Sequence, residues 1–354
     1  MEYLPLIIGN KKTKYPLVQG GMGVGISLGG LAGAVAKVGG IGLISSAQIG
    51  FQEEDFEENP FEANLRAMEK EYKKARAQAP DGIIGFNIMV ALQHYKEYVI
   101  QAAKVGADII VSGAGLATEL PAYVKGFATK IAPIVSGERA AELLLKVWDR
   151  KYRTTADMVV IEGPLAGGHL GFPKEEVEAI TPEEYEGTIQ KIIRVVKEYA
   201  VKYGRKIPVV VAGGMDSPKQ VKRVLELGAD GVQVASSFVT TVECDAAEGF
   251  KQKYIEAGCK DIQLVTSPVG MPGRAIRNAF VEQIEAGIRE PISKCYGCLR
   301  KCNPAEIPYC ITKALITSAR GDGENGLVFC GAGTYKITKI STVQEVIEKL
   351  FKKC

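Results

Sequence analysis

The residues of this sequence that are best suited to proton transfer or metal binding are its histidines and a group of clustered cysteines. Only two histidines are present, and His169 stands in the glycine-rich segment 167–171. Because an imidazole titrates near neutrality, His169 could accept or donate a proton at working pH. From the residues alone, this position fits a structural histidine about as well as a catalytic one.

Four cysteines recur at the spacing C-x2-C-x3-C-x7-C, at Cys295, Cys298, Cys302 and Cys310. Thiols this close in sequence can converge on one ion or cluster, and all-cysteine ligation suits zinc or a [4Fe-4S] centre. A structural zinc site, an iron-sulfur cluster and unligated reduced thiols are all compatible with the pattern. Cys295 and Cys298 alone also fit a dithiol redox pair.

Two segments of small residues could cradle a phosphate group. Ala212-Gly213-Gly214-Met215 and Gln233-Val234-Ala235-Ser236-Ser237 each follow a predicted strand. Glycine lets backbone N–H groups approach phosphate oxygens, and neighbouring loops of this kind often form a phosphate site in barrels. The same glycines could equally serve tight turns only.

These groups must be positioned by a repeated arrangement of strands and helices. Apolar, β-branched segments alternate with amphipathic ones, which predicts βα units around a parallel sheet. The predicted strands are Leu17–Gln19, Ile41–Ser45, Ile84–Val90, Asp108–Ser112, Ile131–Val135, Met158–Ile161, Pro208–Ala212 and Gly231–Ala235. The clearest predicted helices are Phe61–Ala79, Glu138–Asp149, Pro182–Tyr203 and Pro218–Leu227.

Eight such units predict an α/β fold of the (β/α)8 (TIM) barrel type, with its ligand site at the carboxyl ends of the strands. Gly39, Gly106 and Gly228 are predicted to end helices in the left-handed conformation. A doubly wound open sheet is the structural alternative. The pattern changes after the eighth strand, so we predict a barrel over residues 1–244 and a C-terminal cap or extension, with the cysteines, over 245–354.

Composition narrows the class of protein further. The chain has 354 residues, 46% hydrophobic and 24% charged, with a net charge of +3. This small charge disfavours nucleic acid as a partner. No unbroken apolar run is long enough to span a membrane, and the first residues lack the features of a signal peptide. We therefore expect a cytoplasmic protein without a membrane partner, in which the eight cysteines stay reduced.

Several motifs together resemble one family. They are Gln19-Gly20-Gly21-Met22, Gly85-Phe86-Asn87-Ile88-Met89, Glu162 with Ala166-Gly167-Gly168-His169, Ala212-Gly213-Gly214 and Gly231-Val232-Gln233. In this order, over roughly residues 14–244, the chain is similar to the nitronate monooxygenases, also called 2-nitropropane dioxygenases. That family includes the FMN-dependent enoyl-[acyl-carrier-protein] reductases.

The resemblance implies a flavin barrel and assigns roles by position. Gly20, Gly21, Met22 and Asn87 would meet the isoalloxazine ring, Glu162 and Gly167 would flank it, and Gly213, Gly214, Ala235 and Ser236 would hold the FMN phosphate. Ser112, at the end of the fourth predicted strand, is grouped with these cofactor-binding residues. His169 matches the catalytic histidine of the family. The family usually has Gly-Thr where Ala235-Ser236 stands, and serine keeps a hydroxyl donor there.

The implied function is that of an FMN-dependent oxidoreductase, a flavoprotein that oxidises alkyl nitronates with oxygen, with His169 as the catalytic base. One alternative is an NAD(P)H-dependent enoyl reductase, for which an acyl carrier protein would be a partner. Another is an electron-transfer or sensor module that combines flavin with an iron-sulfur cluster. The substrate would be a small molecule, a nitronate or an enoyl thioester, and a homo-oligomer is compatible with all three.

Overall fold

The computed structural model describes residues 3–268 and 270–352. Its strands are, in chain order, β1 (Ile7–Ile8), β2 (Lys11–Lys12), β3 (Leu17–Gln19), β4 (Ile41–Ser45), β5 (Ile83–Met89), β6 (Ile109–Gly113), β7 (Lys130–Val135), β8 (Val159–Glu162), β9 (Gly168–His169), β10 (Val209–Ala212), β11 (Gly231–Val234), β12 (Ile262–Thr266) and β13 (Pro272–Ile276). The eight predicted strands all form, each with ends within one residue of the prediction.

Strands β3 to β8, β10 and β11 close into a parallel barrel. Around it the strands follow one another in chain order, and β11 pairs with β3 to complete the circle. A strand buried on both sides needs a continuous apolar run, and all five residues of β4 are buried accordingly. The predicted (β/α)8 barrel is confirmed, and the open-sheet alternative is wrong.

The α-helices surround the barrel and build the C-terminal region. They are α1 (Gly29–Val38), α2 (Pro60–Gln78), α3 (Tyr95–Lys104), α4 (Leu120–Tyr123), α5 (Glu138–Tyr152), α6 (Lys174–Ala179), α7 (Pro182–Lys202), α8 (Pro218–Glu226), α9 (Ser236–Val239), α10 (Glu248–Glu256), α11 (Ala279–Glu285), α12 (Ile311–Ala319) and α13 (Val343–Leu350). Within the described ranges, no helix is long and apolar enough to cross a membrane.

Local sequence explains where the helices begin and end. Helix α7 begins with a capping box, in which Thr181 and Glu184 each accept a hydrogen bond from the backbone N–H of the other, and Pro182 takes the first helical position. Gly39 and Gly228 have φ angles of 109° and 103°, which suit glycine because it has no Cβ. These left-handed joints are as predicted, and they turn the chain back towards the next strand.

The region after residue 244 does not stand apart from the barrel. Strands β12 and β13 form an antiparallel sheet with β9, which belongs to the loop after barrel strand β8. Buried side chains of both regions, for example Phe238 of α9 and Phe250 of α10, belong to one hydrophobic cluster. The predicted boundary at residue 244 stays a prediction, but the C-terminal extension shares its core with the barrel.

Asp245, the first residue of the extension, ties it to the first barrel helix. Its carboxylate accepts hydrogen bonds from the backbone N–H groups of Leu28, Gly30 and Leu31, over 2.9 to 3.1 Å. These N–H groups have no partner inside the helix, so a buried carboxylate there satisfies them and also favours the positive end of the helix dipole. Lys74 contacts the same carboxylate at 2.9 Å.

We expect Asp245→Ala to lower the free energy of unfolding by about 2 kcal/mol, since three N–H groups at a helix start lose their acceptor. Urea denaturation followed by circular dichroism measures this loss. Glu248→Gln, which changes an exposed acid three residues further on, is the control and should leave the midpoint unchanged. Equal midpoints for the two variants would contradict the capping role of Asp245.

Candidate active site

A cavity of about 460 Å³ opens at the carboxyl ends of the barrel strands. This size is typical of sites for small molecules and cofactors. The predicted site residues that line it are Gly20, Gly21, Met22, Asn87, Glu162, Gly167, His169, Gly213, Gly214, Ala235 and Ser236. The fold thus brings to one cavity the residues that the sequence placed at or near the ends of five different strands.

Ser112 is the predicted cofactor-binding residue that the structure places elsewhere. Its side chain is fully buried and absent from the cavity wall. The hydroxyl donates a hydrogen bond to the Ile88 carbonyl at 2.7 Å and pairs with the Tyr95 hydroxyl at 2.9 Å. Because its hydroxyl is used within the barrel wall, we leave Ser112 out of the proposed cofactor contacts; its neighbour Gly113 reaches the cavity instead.

Two positions on the floor of the cavity require glycine, because neighbouring side chains approach the backbone closely there. A Cβ atom at Gly21 would collide with the side chain of Asn87, and one at Gly20 would lie 3.3 Å from the side chain of Gln233. The Gln233 side-chain oxygen is buried and, among the described residues, has no hydrogen-bond donor. A buried oxygen without a donor is costly, so a bound group that donates a hydrogen bond to it would be stabilised.

The two glycines after β10 expose backbone donors. Gly213 and Gly214 have φ angles of 93° and 78°, in the region that other residues rarely adopt. Neither backbone N–H reaches a hydrogen-bond acceptor in the described part of the chain. The Ser236 hydroxyl lies nearby in the same wall and accepts a hydrogen bond from the Gly331 N–H at 3.0 Å. Free N–H groups beside a hydroxyl suit the oxygens of a phosphate.

His169 lies in the cavity wall on strand β9. Its Nε2 atom is 2.8 Å from the Ser267 hydroxyl, and its ring lies edge-on to Phe329 with centroids 5.1 Å apart. Burial lowers the pKa of His169 to about 4, so the imidazole is neutral near pH 7. Since Ser267 occupies Nε2, the nitrogen left for proton exchange is Nδ1.

Glu162 ends strand β8 and also reaches the cavity. Its carboxylate accepts a hydrogen bond from the Gly171 N–H at 2.8 Å. Burial raises the pKa of Glu162 to about 7, although the Gly171 hydrogen bond acts in the opposite direction. Both ionisable groups therefore favour the neutral form, because the surrounding protein desolvates their charged form even though each faces the cavity. A carboxyl group with this pKa can donate as well as accept a proton near neutrality.

Sequence reasoning missed the contribution of the C-terminal extension to this cavity. Ser267 and Phe329, both in the extension, contact His169, and Gly331 contacts Ser236. The short glycine-containing segment Gly331-Ala332-Gly333 is the one local pattern that could have indicated that the extension contributes to the cavity. Ser267 and Phe329 carry no signal, since their place depends on the pairing of β13 with β9.

The sequence predicts that the four cysteines ligate a metal, and the structure does not bring them together as a set of ligands. Among residues 3–268 and 270–352, no three His, Cys, Asp or Glu side chains are arranged to hold a metal ion. Cys295 is exposed, Cys298 and Cys302 are half-buried, and Cys310 is buried. Burial raises the pKa of the Cys298 thiol to about 11, which disfavours the thiolate. The described residues do not form a complete set of metal ligands, so zinc or an iron-sulfur cluster at this segment stays a prediction.

The fold and the cavity define a barrel enzyme with its site at the carboxyl ends of the strands. A family model for nitronate monooxygenase matches residues 5–353, and the chain therefore belongs to this family of oxidoreductases. A probable nitronate monooxygenase of Staphylococcus saprophyticus is 24% identical over 312 residues, which cover 80% of this chain and 81% of that protein.

Solved structures support the same fold. FabK from Thermotoga maritima is 25% identical, with a TM-score of 0.71 over 96% of this chain and 92% of that chain. Nitroalkane oxidase from Streptomyces ansochromogenes is 19% identical, with a TM-score of 0.69 over 96% of this chain and 95% of that chain. At this identity, the similarity to nitroalkane oxidase concerns the fold alone.

The raised pKa of Glu162 makes the stability of the protein depend on pH. A carboxyl group whose pKa is raised on folding stabilises the fold at low pH, and this contribution is lost as the pH rises through about 7. We expect wild type to lose about 2 kcal/mol more than Glu162→Gln between pH 5 and pH 8.

Urea denaturation of the two proteins at both pH values measures this difference. The shift at His169 is present in both and cancels from the comparison. Glu175→Gln, which changes an exposed acid of helix α6, is the control and should follow wild type. Parallel pH profiles for wild type and Glu162→Gln would contradict the assignment.

Proposed function

We propose that the protein is an FMN-dependent oxidoreductase that oxidises alkyl nitronates with oxygen as electron acceptor. The observation that carries this proposal is the position of His169, neutral and bound to Ser267, in the wall of the same cavity that is lined by Gly213 and Gly214 with their free N–H groups. A phosphate-bearing cofactor and a proton-exchanging side chain would then share one cavity.

FMN fits the residues present. The N–H groups of Gly213 and Gly214, with Ser236, would hold its phosphate, and Ala235 would lie beside them. Gly20, Gly21, Met22 and Asn87 would contact the ring, with Glu162 and Gly167 beside it, and the unpartnered Gln233 oxygen would accept a hydrogen bond from it. FMN when bound supplies the electron transfer that side chains cannot perform.

The chain's own groups would bind the substrate and exchange its proton. Neutral His169 can accept a proton at Nδ1 from a nitroalkane, or donate a hydrogen bond to a nitronate oxygen, depending on its tautomer. The Ser267 contact fixes the plane of the imidazole. Phe329 packs edge-on against the ring.

Reduction of an enoyl thioester is the second candidate, and Glu162 favours it. The lining residues in the described part include the carboxyl groups of Glu162 and Asp216 but no lysine or arginine. Such a wall suits a neutral substrate better than an anion. With a pKa near 7, Glu162 could supply the proton that the α-carbon needs. NAD(P)H would be the reductant, and an acyl carrier protein the partner.

Other expectations from the sequence stay predictions. They are a homo-oligomer, a cytoplasmic location, and zinc or an iron-sulfur cluster at Cys295, Cys298, Cys302 and Cys310, with the electron-transfer role that such a cluster would imply. Metal and acid-labile sulfide analysis of the purified protein tests the cysteine segment directly. As placed, these cysteines are not arranged for ligation, so we build no step of the mechanism on a metal.

We expect the purified protein to show the absorption bands of an oxidised flavin, or to acquire them when FMN is added. Oxygen uptake that depends on an alkyl nitronate would support the first function. Anaerobic bleaching by NAD(P)H, followed by reoxidation with a crotonyl thioester, would support the second. A colourless protein that does not take up FMN would contradict both.

Removal of the imidazole should separate catalysis from cofactor binding. We expect His169→Ala to slow turnover by about 10²- to 10⁴-fold, the loss typical of acid-base catalysis, with an unchanged Kd for FMN. Steady-state rates and flavin fluorescence titrations measure the two quantities. His94→Ala, at the other histidine, is the control and should turn over like wild type. Turnover of His169→Ala within about threefold of wild type would contradict the catalytic role of His169.

A further inference from the structure

Arg274 of strand β13 is a buried arginine with an unusual environment. It is 7% exposed, and no carboxylate among residues 3–268 and 270–352 forms an ion pair with it. Its Nη1 atom donates hydrogen bonds to the carbonyl oxygens of Pro164, at 2.9 Å, and Ala166. Burial lowers the pKa of Arg274. A buried charge without an opposite charge is costly, and carbonyl dipoles offset only part of that cost.

Both carbonyl groups belong to the turn between β8 and β9, which separates Arg274 from the cavity. In a trans peptide the N–H points opposite to the C=O. The contacts of Arg274 therefore aim the N–H groups of Leu165 and Gly167 away from the guanidinium. Both residues line the cavity, and neither N–H has an acceptor in the described part of the chain.

The same turn contacts the proposed phosphate site. A Cβ atom at Gly213 would lie 3.0 Å from the Ala166 backbone nitrogen. The Ala332 N–H donates to the Leu165 carbonyl at 3.2 Å, one residue after Gly331, which contacts Ser236. The guanidinium and a loop that would hold the phosphate therefore both approach this turn.

Two other basic side chains either form an ion pair already or lie away from the proposed phosphate site. Lys336 is paired with Asp216 at 2.8 Å, so its charge is neutralised. Lys251, the second buried basic residue of the described chain, donates to the Thr241 carbonyl at 2.8 Å, beyond the carboxyl end of helix α9 and away from Ser236 at its start. The charge of Arg274 is left without a counter-ion beside this site.

We propose that Arg274 is a positioning residue and the counter-charge for the FMN phosphate, acting through the turn 163–167. This inference rests on the proposed FMN-dependent function. The phosphate carries close to two negative charges at neutral pH, and the cavity lining in the described ranges includes no lysine or arginine. Arg274 would balance that charge while its hydrogen bonds keep the N–H groups of the turn directed at the cavity.

A comparison of FMN with riboflavin, which has the same ring and no phosphate, tests this role. We expect Arg274→Gln to raise the Kd for FMN by about 10- to 100-fold and the Kd for riboflavin by less than about threefold. Quenching of flavin fluorescence by the apoprotein measures both constants without any need for turnover. Arg277→Gln, at an exposed arginine paired with Glu282, removes the same net charge and should leave both constants unchanged.

The outcomes separate the inference from the function on which it rests. Failure of wild type to bind FMN would overturn the proposed function itself. If wild type binds FMN, an equal loss of both flavins in Arg274→Gln would show that Arg274 only supports the turn, and unchanged binding would show no role; either result overturns the counter-charge.

Arg274→Lys keeps the test decisive if the glutamine variant does not fold, because lysine retains the charge but not the two-pronged geometry of the guanidinium. Its preference for FMN over riboflavin should stay within about threefold of wild type if charge is what matters. Loss of that preference in a folded lysine variant would overturn the proposal.

Discussion

The site depends on a short antiparallel pairing between Gly168–His169 and Gly273–Arg274. It joins the loop after the sixth barrel strand to the extension that follows the whole barrel. Because side chains alternate along paired strands, this register decides what stands beside His169 and what stands behind the turn. Ser267 and Phe329 contact the imidazole for this reason, and the Arg274 guanidinium reaches the carbonyl groups of Pro164 and Ala166.

Burial also sets the protonation of the two groups that face the cavity. Desolvation moves the pKa of His169 to about 4 and that of Glu162 to about 7. Both shifts favour uncharged forms, so at neutral pH the wall holds a free imidazole and a partly protonated carboxyl group. Such a pair can exchange protons with a substrate in either direction. The two candidate reactions differ in which of these groups exchanges the proton: His169 in nitronate oxidation and Glu162 in enoyl reduction.

The extension completes the site, because one face of the barrel's carboxyl end would otherwise be open. Asp245 secures its start at helix α1, and the Gly331 N–H secures its later part at Ser236. Between these anchors the extension has a second, smaller hydrophobic cluster, in addition to the core it shares with the barrel, and this cluster includes Phe280 and Tyr309. Among the cysteines in the described part of the extension, Cys330 lines the cavity.

The sequence by itself determined the barrel, because hydrophobic period, glycine at helix ends and small residues at strand ends are local signals, and neighbouring strands pair in chain order. The sequence also predicted most of the residues on the cavity floor, from Gly20 to Ser236. The carboxyl ends of all barrel strands meet at one face, so residues at those ends come together. Only the tertiary structure decided the rest: the burial of Ser112 in the wall, the different burial of the four cysteines, and the contacts of Ser267, Phe329 and Arg274. The contacts of Ser267, Phe329 and Arg274 depend on pairing across about a hundred residues of chain, as the 98-residue separation of His169 and Ser267 illustrates, and no local pattern encodes such a register.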